Sequence, residues 1–210
     1  MTNLKLWGVS TSRTLRPIWV AEELGLSYDL VPIGPRTGAT QTPDYLSRNP
    51  KGKVPYAQDG DLGLSESVAI CRYLIAKYGR ESDLAAPVSV EERARSDEWC
   101  CFILSELDET SLYVIRRHQD LHEIYGDAPV AVASAREYCA KQFRAAAKLL
   151  VGPYVQGDRF GLPDILIMSC IIWADRLGIE TPVAIQNLRD KIAERPAYQK
   201  ALTINQQKAT

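Results

Sequence analysis

The sequence predicts an α/β domain over residues 1–80 and an all-helical domain over residues 90–210. Three observations carry this division. The first part mixes short alternating runs with helical spacing of apolar residues. A turn-rich segment, GRESDLAAP from Gly79 to Pro87, then changes the character of the chain. From Ser89 onward only helical spacing recurs, so residues 81–89 read as a linker.

Leu4-Lys5-Leu6-Trp7 alternates as a short strand does. A loop from Gly8 to Arg13 leads into a helix reaching Gly25, with Leu15, Ile18 and Trp19 on its buried face. Gly25 suits the position just past a helix end. Tyr28 to Ile33 predicts a second strand, which makes a βαβ unit with parallel strands. After a turn-rich loop from Gly34 to Gln41, Thr42-Pro43 predicts a short helix, because proline is favoured at the first helical position. Pro55 has no amide to donate and suits the start of a strand, here Tyr56-Ala57-Gln58. Asp59-Gly60 predicts a hairpin to a strand at Leu62–Leu64. The helix that follows places Cys71, Leu74, Ile75 and Tyr78 on one face. The order is βαβ-ββα.

In the second half, Ser89-Val90-Glu91-Glu92 is a capping box. It opens a long helix expected to run to about His122. Gly126-Asp127-Ala128-Pro129 breaks that helix and starts another, whose stripe is Cys139, Phe143, Ala146 and Leu150. Ile165 to Trp173 is apolar nearly all round, which places it at the centre of the helical domain. Thr181-Pro182 starts a further helix, and Arg195-Pro196 ends or kinks it. The polar tail from Thr203 is expected to fray.

Composition excludes several function classes. Hydrophobic residues make up 46% of the 210 residues, enough for a core. Net charge is −1, from 25 basic and 26 acidic residues, so no strong field favours nucleic acid or an anionic membrane. The chain shows no 18-residue apolar run, and MTNLKLWGVS lacks the apolar region of a signal peptide. A cytoplasmic location is the expectation. The five cysteines lack CxxC or paired spacing and do not read as a disulfide framework. Cys100 and Cys101 are neighbours on a helix and point about 100° apart, which argues against a local clamp. His118 and His122 stand four apart beside Glu123, but a third ligand is missing, so no metal is expected.

The most specific stretch is Asn49–Tyr78. With a cis Val54-Pro55 bond, the Val54 N–H and C=O face outward and can pair with an extended ligand. Ser65-Glu66-Ser67 lies at a helix N-terminus, where amides lack partners and the dipole is positive. That is a place for a carboxylate. Ser65 and Ser67 also suit a helix cap, and Glu66 a charge that complements the dipole.

This constellation of Lys53, Val54, Pro55, Glu66 and Ser67 resembles the glutathione site of the cytosolic glutathione transferases. The resemblance spans nearly the whole chain, strongly at residues 49–78 and more loosely in the helical half. It implies a thioredoxin-like first domain, glutathione as co-substrate, no metal, and a homodimer. It also implies residue roles. The Val54 backbone pairs with the cysteinyl part of glutathione. Ser67 and its amide hold the γ-glutamyl carboxylate, Glu66 contacts the γ-glutamyl amine, and Lys53 helps with the glycine carboxylate. The family places a Tyr, Ser or Cys near the start of the first helix. Here that region offers Ser10, Thr11 and Ser12, without Tyr or Cys, which resembles a serine-type, bacterial or theta-like member. Cysteine-based deglutathionylation and dithiol chemistry are thereby disfavoured. Ser12 is the favoured thiolate partner, Ser10 and Thr11 remain alternatives, and all three also suit helix caps.

Arg13 and Arg16 sit near the same helix start. Either one meets a glutathione carboxylate, or both are solvated or paired with Glu22 or Glu23. Pro17 suits the first helical turn. Gly161 stands where the family has a hydroxyl residue ahead of Asp164, a motif that serves folding. The implied activity is transfer of glutathione to an electrophilic, mostly apolar substrate. Its second pocket is expected between the domains, with Trp99, Phe102 and Tyr113 as candidate lining. Glutathione-dependent peroxidase, isomerase or dehalogenase chemistry and a noncatalytic binding module are the rivals on the same fold.

Overall fold

The computed structural model describes residues 3–80, 82–84 and 86–209. Of the linker expected at 81–89, Glu81 and Ala85 lie outside the described residues. The chain divides into two compact units. One comprises the residues up to Ala86 together with those from Ala193 on, and the other comprises Pro87–Ile192.

The first unit is built on a four-stranded sheet of order β2-β1-β3-β4. β1 (Leu4–Trp7) runs parallel to β2 (Asp29–Val31), with Leu6 opposite Leu30. β3 (Tyr56–Asp59) lies antiparallel to β1 and places Tyr56 opposite Trp7. β4 (Leu62–Ser65) closes the hairpin on β3, as Asp59-Gly60 predicts. β2 is shorter than the expected Tyr28–Ile33, although the Val9 amide still bonds the Ile33 carbonyl at 3.0 Å beyond it. Strand alternation sends Trp7 and Tyr56 to one face, where they cluster with Ile33 and with Tyr45 of α2 (Pro43–Arg48). Leu6 and Ala57 alternate to the other face, toward α1 (Ser12–Glu23) and α3 (Ser67–Tyr78), which pack on each other.

In the second unit, α4 (Val90–Phe102) opens with the expected capping box: the Glu92 amide bonds Ser89 Oγ at 3.0 Å and Glu92 Oε2 takes the Ser89 amide at 3.3 Å. The helix then widens to π geometry over Ile103–Tyr113 and again over Arg116–Asp120. A short α5 (His122–Tyr125) follows. The sequence predicts the length of this run but not its widening. α6 (Pro129–Leu149) and α7 (Leu162–Arg176) pack on the first π segment, and α8 (Val183–Ala193) follows. Ile165, Leu166, Ile167, Cys170 and Ile171 of α7 are fully buried, as its apolar circumference requires. The Gly161 cap works through Asp164, whose carboxylate takes the Gly161 and Val155 amides at 2.9 and 2.8 Å.

The last helix, α9 (Pro196–Asn205), packs along α1 and so belongs to the first unit, whereas the sequence reading extends the helical domain through residue 210. Trp19 and Tyr198 stack at 4.7 Å between ring centres. Arg195 grips Glu23 through two bonds of 2.7 Å, and Lys200 pairs with Glu22 at 2.6 Å. The helix continues past Thr203, where fraying was expected, because Asn205 is buried against α1. No helix among the described residues is long and apolar enough to cross a membrane.

Candidate active site

The turn from β1 into α1 depends on Gly8. Its φ is +116°, and a Cβ there would lie 2.6 Å from Val54 Cβ and 2.7 Å from Thr14 Cγ2. Only glycine allows that approach, which seats the β1–α1 loop directly against Val54. The three candidate hydroxyls then differ. Ser10 adopts a left-handed φ of 69°, and its exposed Oγ donates to the Gln207 carbonyl at 3.3 Å. Thr11 is the N-cap: its Oγ1 accepts the Thr14 amide at 2.9 Å, and Thr14 Oγ1 accepts the Thr11 amide at 3.0 Å. Ser12 is the first helical residue and half-buried, and its hydroxyl makes no hydrogen bond among the described residues. The first turn of α1 carries no acidic residue, so its positive end is not offset from within the helix.

The Val54-Pro55 peptide is cis, as the motif requires. The turn is braced from below. Tyr45 Oη and Asn49 Nδ2 both donate to the Lys53 carbonyl, at 2.8 and 2.7 Å. Burial pushes the Tyr45 phenol above its ordinary pKa. The Lys53 side chain is exposed and makes no ion pair among the described residues.

At the start of α3, Glu66 holds φ 75° and ψ 116°, a sparsely populated region for a residue with a Cβ, costing on the order of 1–3 kcal/mol. Ser67, the first helical residue, is buried, and its Oγ accepts from Arg16 Nη1 at 3.3 Å. Arg16 is only 1% exposed. It is therefore buried rather than solvated, and Glu22 and Glu23 pair with Lys200 and Arg195 respectively. Pro17 also departs from expectation. It lies inside α1 at the sixth position, beyond the first turn. The Glu66 carboxylate pairs with Lys51 Nζ at 2.5 Å, both side chains being exposed.

Ser12, Val54 and Ser67 are thus linked through neighbours: Gly8 joins the loop to Val54, and Arg16 joins α1 to Ser67. Gly8, Thr14, Lys51 and Asn205 are contributors that sequence reasoning missed. A glycine at a strand end signals Gly8, but nothing local points to Asn205. Elsewhere, His118 Nδ1 and His122 Nδ1 engage the Gly126 and Gln119 carbonyls, each at 2.9 Å. Trp99 is buried and meets Phe102 edge-on at 5.8 Å.

Comparison with known proteins places the family and the fold. Residues 2–76 match the family model for the glutathione S-transferase N-terminal domain. Glutathione S-transferase GstB of Escherichia coli is 31% identical over 207 residues, 96% of this chain and 98% of that one. Maize glutathione S-transferase 1 is 42% identical over 100 residues, 47% of this chain and 46% of that one. The theta-class glutathione S-transferase of Xanthomonas axonopodis pv. citri, solved with glutathione bound, superposes with a TM-score of 0.82 at 31% identity over the whole of both chains. With a full-length relative at that identity and a shared fold, the chain belongs to the cytosolic glutathione S-transferase superfamily, a family of enzymes.

Proposed function

We propose that this protein conjugates glutathione to apolar electrophiles, with Ser12 as the residue that stabilises the thiolate. The observation that carries this reading is the half-buried Ser12 hydroxyl, without a hydrogen-bond partner among the described residues at the positive end of α1, beside a loop seated on the cis Val54-Pro55 turn. Ser10 spends its hydroxyl on the Gln207 carbonyl near the end of the chain, and Thr11 spends its own on the helix cap. Lowering a thiol of pKa about 8.5 by roughly two units takes about 2.7 kcal/mol of preference for the anion. A charge-assisted hydroxyl bond together with a helix N-terminus is a source of that size.

The Val54 N–H and C=O pair with the cysteinyl backbone. Ser67 and its amide take the γ-glutamyl carboxylate, with Glu66 at the amine and the exposed Lys53 at the glycine end. The thiol proton leaves to water. The sulfur lone pair forms the new C–S bond while the leaving group departs with its own electron pair. The same thiolate would serve reduction of a hydroperoxide. A panel of aryl halides, enals and hydroperoxides separates these chemistries, and sedimentation tests the homodimer that the family resemblance implies. Turnover at neutral pH is expected to fall about tenfold or more in Ser12→Ala. A fall of that size in Ser10→Ala or Thr11→Ala instead would reassign the hydroxyl.

A further inference from the structure

The end of the chain returns to the start of α1 through one side chain. Asn205, the last residue of α9, is 6% exposed. Its Oδ1 accepts from Thr14 Oγ1 at 2.7 Å, and its Nδ2 donates to the Thr11 carbonyl at 3.1 Å. Its main-chain carbonyl accepts the Ser10 amide at 2.8 Å. Ser12 therefore sits between residues that Asn205 holds on both sides, at Ser10, Thr11 and Thr14. The hold is needed: Ser10 is in the left-handed region, and the cap is a pair of threonines that could bond each other in more than one arrangement. α9 is itself a firm base, stacked on Trp19 and paired to Glu22 and Glu23.

We infer that Asn205 is a positioning residue for the thiolate-stabilising hydroxyl: its amide and carbonyl set the backbone of Ser10–Thr14, and through it the direction in which Ser12 presents its O–H. The inference rests on the Ser12 reading above. A hydrogen bond to a developing anion is sensitive to small displacements of its donor, so a loosened loop weakens the thiolate more than it weakens binding of the tripeptide.

The test is the pH titration of glutathione bound to the full-length enzyme, read by thiolate absorbance in four proteins: wild type, Ser12→Ala, Asn205→Ala and the double variant. The bound-thiol pKa is expected to rise by about one unit in Asn205→Ala, a tenfold loss of thiolate preference. The dissociation constant should change by no more than about threefold, and the double variant should titrate like Ser12→Ala alone, because both act through one bond. An unshifted pKa in Asn205→Ala, with Ser12→Ala shifted, overturns the role of Asn205 and leaves Ser12 standing. An equal added shift in the Ser12→Ala background also overturns it. No shift in Ser12→Ala removes the Ser12 reading and this inference with it. Should Asn205→Ala fail to fold, the isosteric Asn205→Asp keeps the acceptor for Thr14, loses the donor to Thr11, and is judged by the same four-way comparison.

Discussion

Three hydroxyls stand side by side at the start of α1, and their surroundings separate them. Thr11 is consumed as a cap and Ser10 turns to the C-terminal segment, while Ser12 has no partner among the described residues. The sequence narrows the choice to these three and no further, because a one-residue change in where the helix begins exchanges cap and first helical residue. The two turns that carry Lys53, Val54, Pro55, Glu66 and Ser67 were legible because each is made by neighbours in the chain. Lys51 as the partner of Glu66 was not, since that pairing depends on how the two turns face each other. Ser67→Ala is expected to weaken glutathione binding by about 1.5–3 kcal/mol, the value of a lost bond to a charged group, as calorimetry would show. Unchanged affinity would refute the placement of the γ-glutamyl carboxylate. Among the five cysteines only Cys101 is exposed, and burial pushes the Cys139 thiol up to about 12. A thiol reagent at neutral pH should therefore label one cysteine rapidly in the native protein, and peptide mapping should find it at Cys101.

At the scale of elements, caps were the most legible features because they are made within three or four residues. The Ser89–Glu92 box, Thr42 ahead of Pro43 and the Asp164 bond to Gly161 all stand where sequence puts them. The π segments were not legible, since apolar spacing over a few turns fits either winding. The β3–α3 junction holds a cluster that no motif announces. Asp59 Oδ2 accepts from Tyr73 and Tyr78 hydroxyls at 2.8 and 2.6 Å and from Lys77 Nζ at 2.7 Å. Burial alone would raise this carboxyl. The bonds from Lys77, Tyr78 and Tyr73 outweigh it and hold the pKa below the ordinary 3.8. A lowered folded pKa means that the stabilisation is complete above the ordinary value and is lost as pH falls through the folded value. Asp59→Asn should cost about 1.5–3 kcal/mol in urea unfolding at neutral pH. The gap to wild type should narrow only in strong acid. A gap that stays constant down to acid pH would mean that the cluster does not depend on the charge.

At the scale of the whole molecule, two units each close their own core, and the chain returns to the first unit to place α9 on α1. The α/β-then-helical order was legible from periodicity and from the break near Gly79. The return of α9 was not, because Trp19–Tyr198, Glu23–Arg195 and Thr14–Asn205 join residues more than 170 apart, for which a single sequence gives no signal. The central claim is that this fold supplies a serine hydroxyl to a bound thiolate. It is tested most directly by the thiolate absorbance of enzyme-bound glutathione against pH, in wild type and Ser12→Ala. The account predicts a bound-thiol pKa roughly two units below the free value in wild type, returning toward it in the variant. Glutathione that binds wild type with its pKa unshifted, or a shift that survives Ser12→Ala intact, would contradict it.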